Sequence, residues 1–194
     1  MRVRMARQLM ALGAALLAAC SSTPTQYLTL VPAAPQSAPG SANALGPALL
    51  TVTIPSQVDQ PQLAVRRSDG SMTLLETERW IAPLGDEIRS ALALDLARQW
   101  APDSADGVRV TVDVQRFDSV PGQYALLDAV WTLSVNGPAA QAQKISCRSS
   151  IRIPVSAGYP ALAKGHQAAL EQLAGEIAKQ APRLRSGGGA CAAA

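Results

Sequence analysis

Few side chains in this sequence are placed to do chemistry. His166 is the single histidine, and no second imidazole or cysteine pair stands at metal-ligand spacing from it. It falls on or beside an apolar helical stripe, where a packed or cap-like structural role is the expectation. Asp113 and Asp128 fall at solvent-facing strand positions, whereas a carboxylate pair acting as acid and base needs two contrasting environments. Serines are frequent near the N-terminus, but a hydroxyl nucleophile needs a base beside it. No Gly-x-Ser-x-Gly elbow, phosphate loop or dinucleotide fingerprint occurs. The pattern predicts a protein that is not an enzyme and carries no cofactor or metal.

The exception is Cys20. Arg2, Arg4 and Arg7 precede an uncharged run from Leu9 to Ala19, a positive flank followed by an apolar stretch and small residues ahead of a cut. The run is shorter than the roughly 20 residues needed to cross a bilayer. Leu17-Ala18-Ala19-Cys20 resembles the bacterial lipobox, in which the cysteine thiol gains a diacylglycerol thioether and becomes the first residue. The alternative is an ordinary secretory leader with an incidental cysteine. A fully acylated Cys20 exceeds the two signals that stable anchoring requires. Ser21, where an Asp would favour the inner membrane, resembles the outer-membrane sorting class.

Two cysteines remain, Cys147 and Cys191. An oxidising compartment permits a bridge between them, closing a loop of about 45 residues. Against it, Cys147 shares a strand face with Ile145 and Ile151, as a small buried hydrophobe does, and Cys191 sits in a Gly/Ala-rich tail. Both readings stay open at this level.

The leader also distorts the charge balance. The chain has 17 Lys+Arg against 14 Asp+Glu, but three of the arginines precede Cys20, leaving 14 against 14. With three lysines and no clustered basic face, the sequence offers no nucleic-acid footprint.

These residues need a scaffold. Residues 1–19 read as a leader and 20–48 as a tether rich in Pro, Ala and Ser, interrupted by a short strand at 27–31. A folded domain spans 49–182, and 183–194 is a tail expected to lack fixed structure. Within the domain, Leu50–Ile54 alternates as a strand, and Leu63–Arg67 and Met72–Leu75 flank an Asp69-Gly70 turn. Leu84, Ile88, Leu92, Leu96 and Trp100 then form an i+4 row behind Pro83, the mark of an amphipathic helix. Val108, Val110, Val112 and Val114 share one strand face, as do Leu127, Ala129, Trp131, Leu133 and Val135 on the next. Ile145, Cys147, Ile151 and Ile153 follow after an Asn136-Gly137 turn. These three strands should form an antiparallel meander with one solvated face. Pro160 opens a second helix whose stripe runs from Leu162 to Ala181, with Pro182 as its stop. The order predicts an α+β two-layer sandwich: a largely antiparallel sheet with two amphipathic helices on one face.

Several segments together resemble a known family. Tyr27-Leu28-Thr29-Leu30, Ile54-Pro55, Gln62–Arg67 and Arg79-Trp80 with Pro83-Leu84 are followed by Val112–Phe117, Leu127–Trp131 and Leu170–Ala178. Their order and spacing are similar to those of the ABC-type transport auxiliary lipoproteins, the PqiC-like family, over Cys20 to Ala181. The Pro/Ala insert between Val31 and Leu49 and the tail with Cys191 depart from the pattern. The resemblance implies a non-enzymatic envelope component that works with MCE-domain proteins, which form hydrophobic conduits between the two membranes. It implies an outer-membrane anchor through Cys20, a periplasmic domain, a role in phospholipid transport and membrane integrity, and room for a homo-oligomer. Arg79 and Trp80, in the connection before the first helix, are candidates for docking that partner; a core role for Trp80, like that expected of Trp131, is the competing reading. Two other functions fit a tethered α+β domain: a scaffold or activator of cell-wall synthesis, and a stand-alone lipid-binding domain.

Overall fold

The computed structural model describes residues 23–33, 49–100, 107–135, 143–186 and 191. The leader with Cys20, the Pro/Ala-rich stretch 34–48, the Asn136-Gly137 turn and most of the tail lie outside them. The elements run β1 (Gln26–Leu28), β2 (Leu49–Thr53), β3 (Gln62–Arg66), β4 (Met72–Trp80), α1 (Leu84–Gln99), β5 (Val108–Val120), β6 (Tyr124–Val135), β7 (Gln143–Pro154) and α2 (Tyr159–Arg185).

The apolar rows find one another as their periods require. In α1, Leu84, Ile88, Ala91, Leu92 and Leu96 are buried, with Asp86 and Glu87 in the first turn and Arg98 in the last, charges that suit the helix dipole. The even-numbered valines of β5, Val108 to Val114, meet Leu127 to Leu133 of β6 and Ile145, Cys147 and Ile151 of β7 in one core. Leu162, Leu170, Leu173 and Ile177 of α2 complete it, all fully buried. β5, β6 and β7 form the expected antiparallel meander.

The architecture is α+β with largely antiparallel pairing, as expected, but the strands divide between two sheets and each sheet contains one parallel pair. The structure has two mixed sheets, ordered β2-β5-β6-β7 and β1-β4-β3. β2 runs parallel to β5, and β1 parallel to β4. The cause is connectivity: each of these early strands pairs with one reached only after intervening elements return the chain to its starting end.

Two local features also depart from the sequence pattern. A register shift between Val114 and Arg116 inserts an extra residue into β5. Beyond it the inward parity switches from even to odd, so Phe117 and Ser119 continue the buried face begun by the valines. α2 continues three residues past Pro182, to Arg185. So close to the end the missing Pro182 amide costs a single helical bond, and burial of Leu184 offsets that loss.

Candidate functional site

The chain enters the fold through a pinned segment. Tyr27 and Leu28 of β1 lie beside Arg79 and Trp80 of β4, and the Ile81 amide donates to the Leu28 carbonyl at 2.9 Å. Just beyond β1, Glu87 Oε2 accepts hydrogen bonds from the Thr29 hydroxyl and the Leu30 amide, each at 2.7 Å. From α2, Gln167 Nε2 donates to the Thr29 carbonyl at 2.9 Å. Leu30 is fully buried and Glu87 nearly so. A charge-assisted bond in such a setting is among the stronger local fastenings a fold can make. Glu87 lies outside the apolar i+4 row of α1. Its position in the first helical turn, where a carboxylate faces unpaired amides, was the available signal.

Arg79 and Trp80, the two docking candidates, have different fates. Trp80 is buried, its ring edge-on to Phe117 at 6.3 Å between centroids. The geometry therefore favours its core role. Arg79 keeps an accessible side chain and a loose ion pair with Glu76 at 3.7 Å. Trp131 lies in the core as expected, and its indole N–H donates to Ser149 Oγ at 2.9 Å.

His166 has no contact with solvent. Its ring stacks on Phe117 with centroids 3.8 Å apart, and Nε2 lies 2.8 Å from Ser119 Oγ. Nδ1 has no partner, which favours the tautomer with the proton on Nε2, since a bare lone pair is cheaper to bury than an N–H. Burial depresses the His166 pKa to about 3, with the Asp118 charge opposing. Ser119 is equally buried, so this Ser–His contact is sealed from any substrate and serves packing.

The carboxylates were less predictable. Asp113 is exposed as expected, bonded to Thr53 and Gln115. Asp128, expected in solvent, is buried instead, because Ser150 donates to it at 2.5 Å and Arg116 lies 3.5 Å away. Asp118, which sequence reading passed over, is buried between Arg66 at 2.9 Å and Arg116 at 2.5 Å. Burial pushes its carboxyl up, but the hydrogen bonds and charges of the two guanidinium groups outweigh it and hold the pKa below the usual range.

An open groove of about 950 Å³ runs between α2 and β7. Its walls mix charged and polar residues, Arg148, Glu171, Glu176 and Lys179, with apolar surface from Trp131 and Ala168. At one end the Cys147 and Cys191 sulfurs lie at bonding distance, with Cα atoms 5.7 Å apart. Burial of Cys147 and a bridge are not alternatives here. β7 is an edge strand, so its inward side chains are reachable sideways along the groove.

The described residues thus define a small α+β domain with a fastened N-terminal entry and a packed helix–sheet interface. The chain belongs to the family of ABC-type transport auxiliary lipoprotein components, whose model matches residues 27–178. Members of that family are auxiliary transport components. The fold is shared with the crystal structure of an uncharacterized protein at 18% identity, with a TM-score of 0.64 over 81% of this chain and 99% of that one. It is also shared with a Xanthomonas campestris protein of the DUF330 family at 19% identity, with a TM-score of 0.53 over 84% of this chain and 96% of that one. No curated protein matches the chain. Among the described residues, no helix is long and apolar enough to cross a membrane.

Proposed function

We propose that the protein is a non-enzymatic auxiliary subunit of an MCE/ABC-type phospholipid transport system, anchored in the outer membrane through an acylated Cys20. In this reading its domain faces the periplasm, docks the MCE-domain conduit and so supports membrane integrity. The family match over 27–178 carries the proposal, because it begins within the fastened entry segment and spans both sheets and most of α2. The packed interface between sheet and helices adds support. Leu92, Leu96, Leu133, Leu170 and Leu173 fill it completely, which suits a docking module better than a stand-alone lipid carrier. Arg79, half-buried beside the entry strand, remains the docking candidate of the pair. Cys147 and Cys191 are proposed to be bridged in the mature protein.

The test is a crosslinked pull-down of tagged full-length protein from envelope membranes, repeated with Cys20→Ala. An MCE-domain protein recovered only with Cys20 intact is the expected result. Recovery of cell-wall synthases instead would replace the transport role with a scaffold role.

A further inference from the structure

The entry segment has a geometric consequence that rests on the reading of Cys20 as acylated. Gln26, the first residue of β1, is six residues along from Cys20. An extended chain spans at most about 3.6 Å per residue, so β1 begins within about 22 Å of the acylated cysteine. The bonds to Glu87, Gln167 and β4 fix that segment to the body. The Pro/Ala-rich stretch 34–48 follows this attachment, so its length adds no reach between membrane and domain.

Which surface then faces the bilayer? Of the five exposed large apolar side chains among the described residues, four belong to the β1-β4-β3 sheet or directly follow it. These are Tyr27, Met72, Leu74 and Ile81; the fifth, Leu94, is on α1. Tyr27 is 62% exposed and Ile81 58%, beside the residues nearest the anchor. Tyr27 and Ile81 adjoin, since the Ile81 amide bonds the Leu28 carbonyl, whereas Met72 and Leu74 lie toward the far end of β4; a tyrosine with an apolar ring and polar tip suits the lipid headgroup level. Arg67, exposed directly after β3, adds a cation that favours anionic phosphates.

We propose that the β1 edge of the β1-β4-β3 sheet, at Tyr27 and Ile81, rests on the phospholipid bilayer that holds the Cys20 acyl chains. This edge is then the membrane contact, and Arg79, one strand further in, and the α2–β7 groove are left to face other components.

The native tryptophans make this testable, because Trp80, Trp100 and Trp131 are all buried and report little of the surroundings. Full-length mature protein carrying Tyr27→Trp is reconstituted in vesicles of phosphatidylethanolamine and phosphatidylglycerol, with and without bromine on the acyl chains. Leu94→Trp is the comparison, and palmitate labelling reports acylation of Cys20. The expected result is a blue-shifted emission from Tyr27→Trp that brominated lipid quenches, with Leu94→Trp unquenched. Labelled protein with neither variant quenched, or with both quenched alike, overturns the membrane contact while leaving the anchor intact. Labelled protein whose Tyr27→Ser/Ile81→Ser variant loses a native dimer, again without quenching, gives the surface to a second copy instead. Absence of palmitate label removes the anchor, and this inference with it.

Discussion

Glu87 Oε2 stands 2.7 Å from the Leu30 amide nitrogen, joining the first turn of a helix to a segment 57 residues earlier in the chain. The same oxygen takes the Thr29 hydroxyl, and that hydroxyl oxygen in turn accepts the Val31 amide at 3.1 Å. A single carboxylate thereby orders three consecutive residues of the entry segment.

Glu87→Ala should cost about 1.5–3 kcal/mol, since it leaves the buried Leu30 amide unpaired and removes a charge-assisted bond. Glu87→Gln, which retains an acceptor oxygen, should cost less. Urea unfolding measures the loss. Hydrogen exchange should show residues 27–31 opening in the Ala variant; unchanged protection there would mean that β1 is held by β4 pairing alone.

His166 sets a pH dependence whose sign follows from its environment. Its folded pKa is about 3 against 6.5 when free. Between those values the unfolded chain binds a proton that the native one refuses, so stability falls as pH falls, by about 1.4 kcal/mol per unit well below 6.5. Asp118 acts in the same sense at lower pH: its depressed pKa gives stability that is present above the ordinary carboxylate range and lost on acidification through it. His166→Gln, which can still bond Ser119, should reduce the loss between pH 7 and pH 5 by about 2 kcal/mol. An unaltered pH profile in this variant would refute the neutral buried state.

Two helix glycines in α2 should respond oppositely to alanine. A Cβ on Gly165 would fall 2.4 Å from Val155 Cγ1 and 3.0 Å from Ala125 Cβ. Gly165→Ala should therefore destabilise by about 1–3 kcal/mol despite the gain in helix propensity. At Gly175 the nearest atom is Gln99 Oε1 at 2.8 Å, the end of an exposed side chain that can swing away. Gly175→Ala should be neutral or stabilising by up to about 1 kcal/mol. Thermal unfolding of the two single variants checks both.

Non-reducing peptide mapping of the mature protein should recover Cys147 and Cys191 in one linked peptide pair. Cys191→Ser should then lower stability by up to about 4 kcal/mol, the chain-entropy value for a loop of this size. Two free thiols in the mapped protein would exclude the bridge.

Trp80→Ala should unfold the domain readily, by about 3–5 kcal/mol, as expected of a large core aromatic. Arg79→Ala should leave the unfolding midpoint in place while weakening capture of the conduit protein. A stable Trp80→Ala variant that merely lost the partner would restore Trp80 as an anchor.

Local periodicity carried most of the architecture. The i+4 row of α1, the even valines of β5 and the Asp69-Gly70 turn all depend on near neighbours, and each forms the predicted element. Gly70, for instance, takes φ +84° where an L side chain would be strained. What escaped depends on long-range or non-periodic events. The β1–β4 pair joins segments separated by β2 and β3, and the β2–β5 pair segments separated by a hairpin and α1; a three-residue strand such as β1 also has too few side chains to announce its partner. The extra residue after Val114 reverses the parity on which burial was assigned, which hid the inward role of Ser119. Asp128 was expected in solvent because its partners, Arg116 and Ser150, come from the neighbouring strands. Arg66 beside Asp118, and Leu30 beside Glu87, likewise lie far away along the chain.

The two parallel pairings also impose a timetable. A chain emerging N-terminus first presents β1 long before β4, and β2 long before β5, so both early strands must wait unpaired until their neighbours exist. Glu87 and Gln167, which hold the entry segment, come later still than β4. The entry segment is therefore fastened fully only once α2, the last helix, has brought Gln167 to the Thr29 carbonyl.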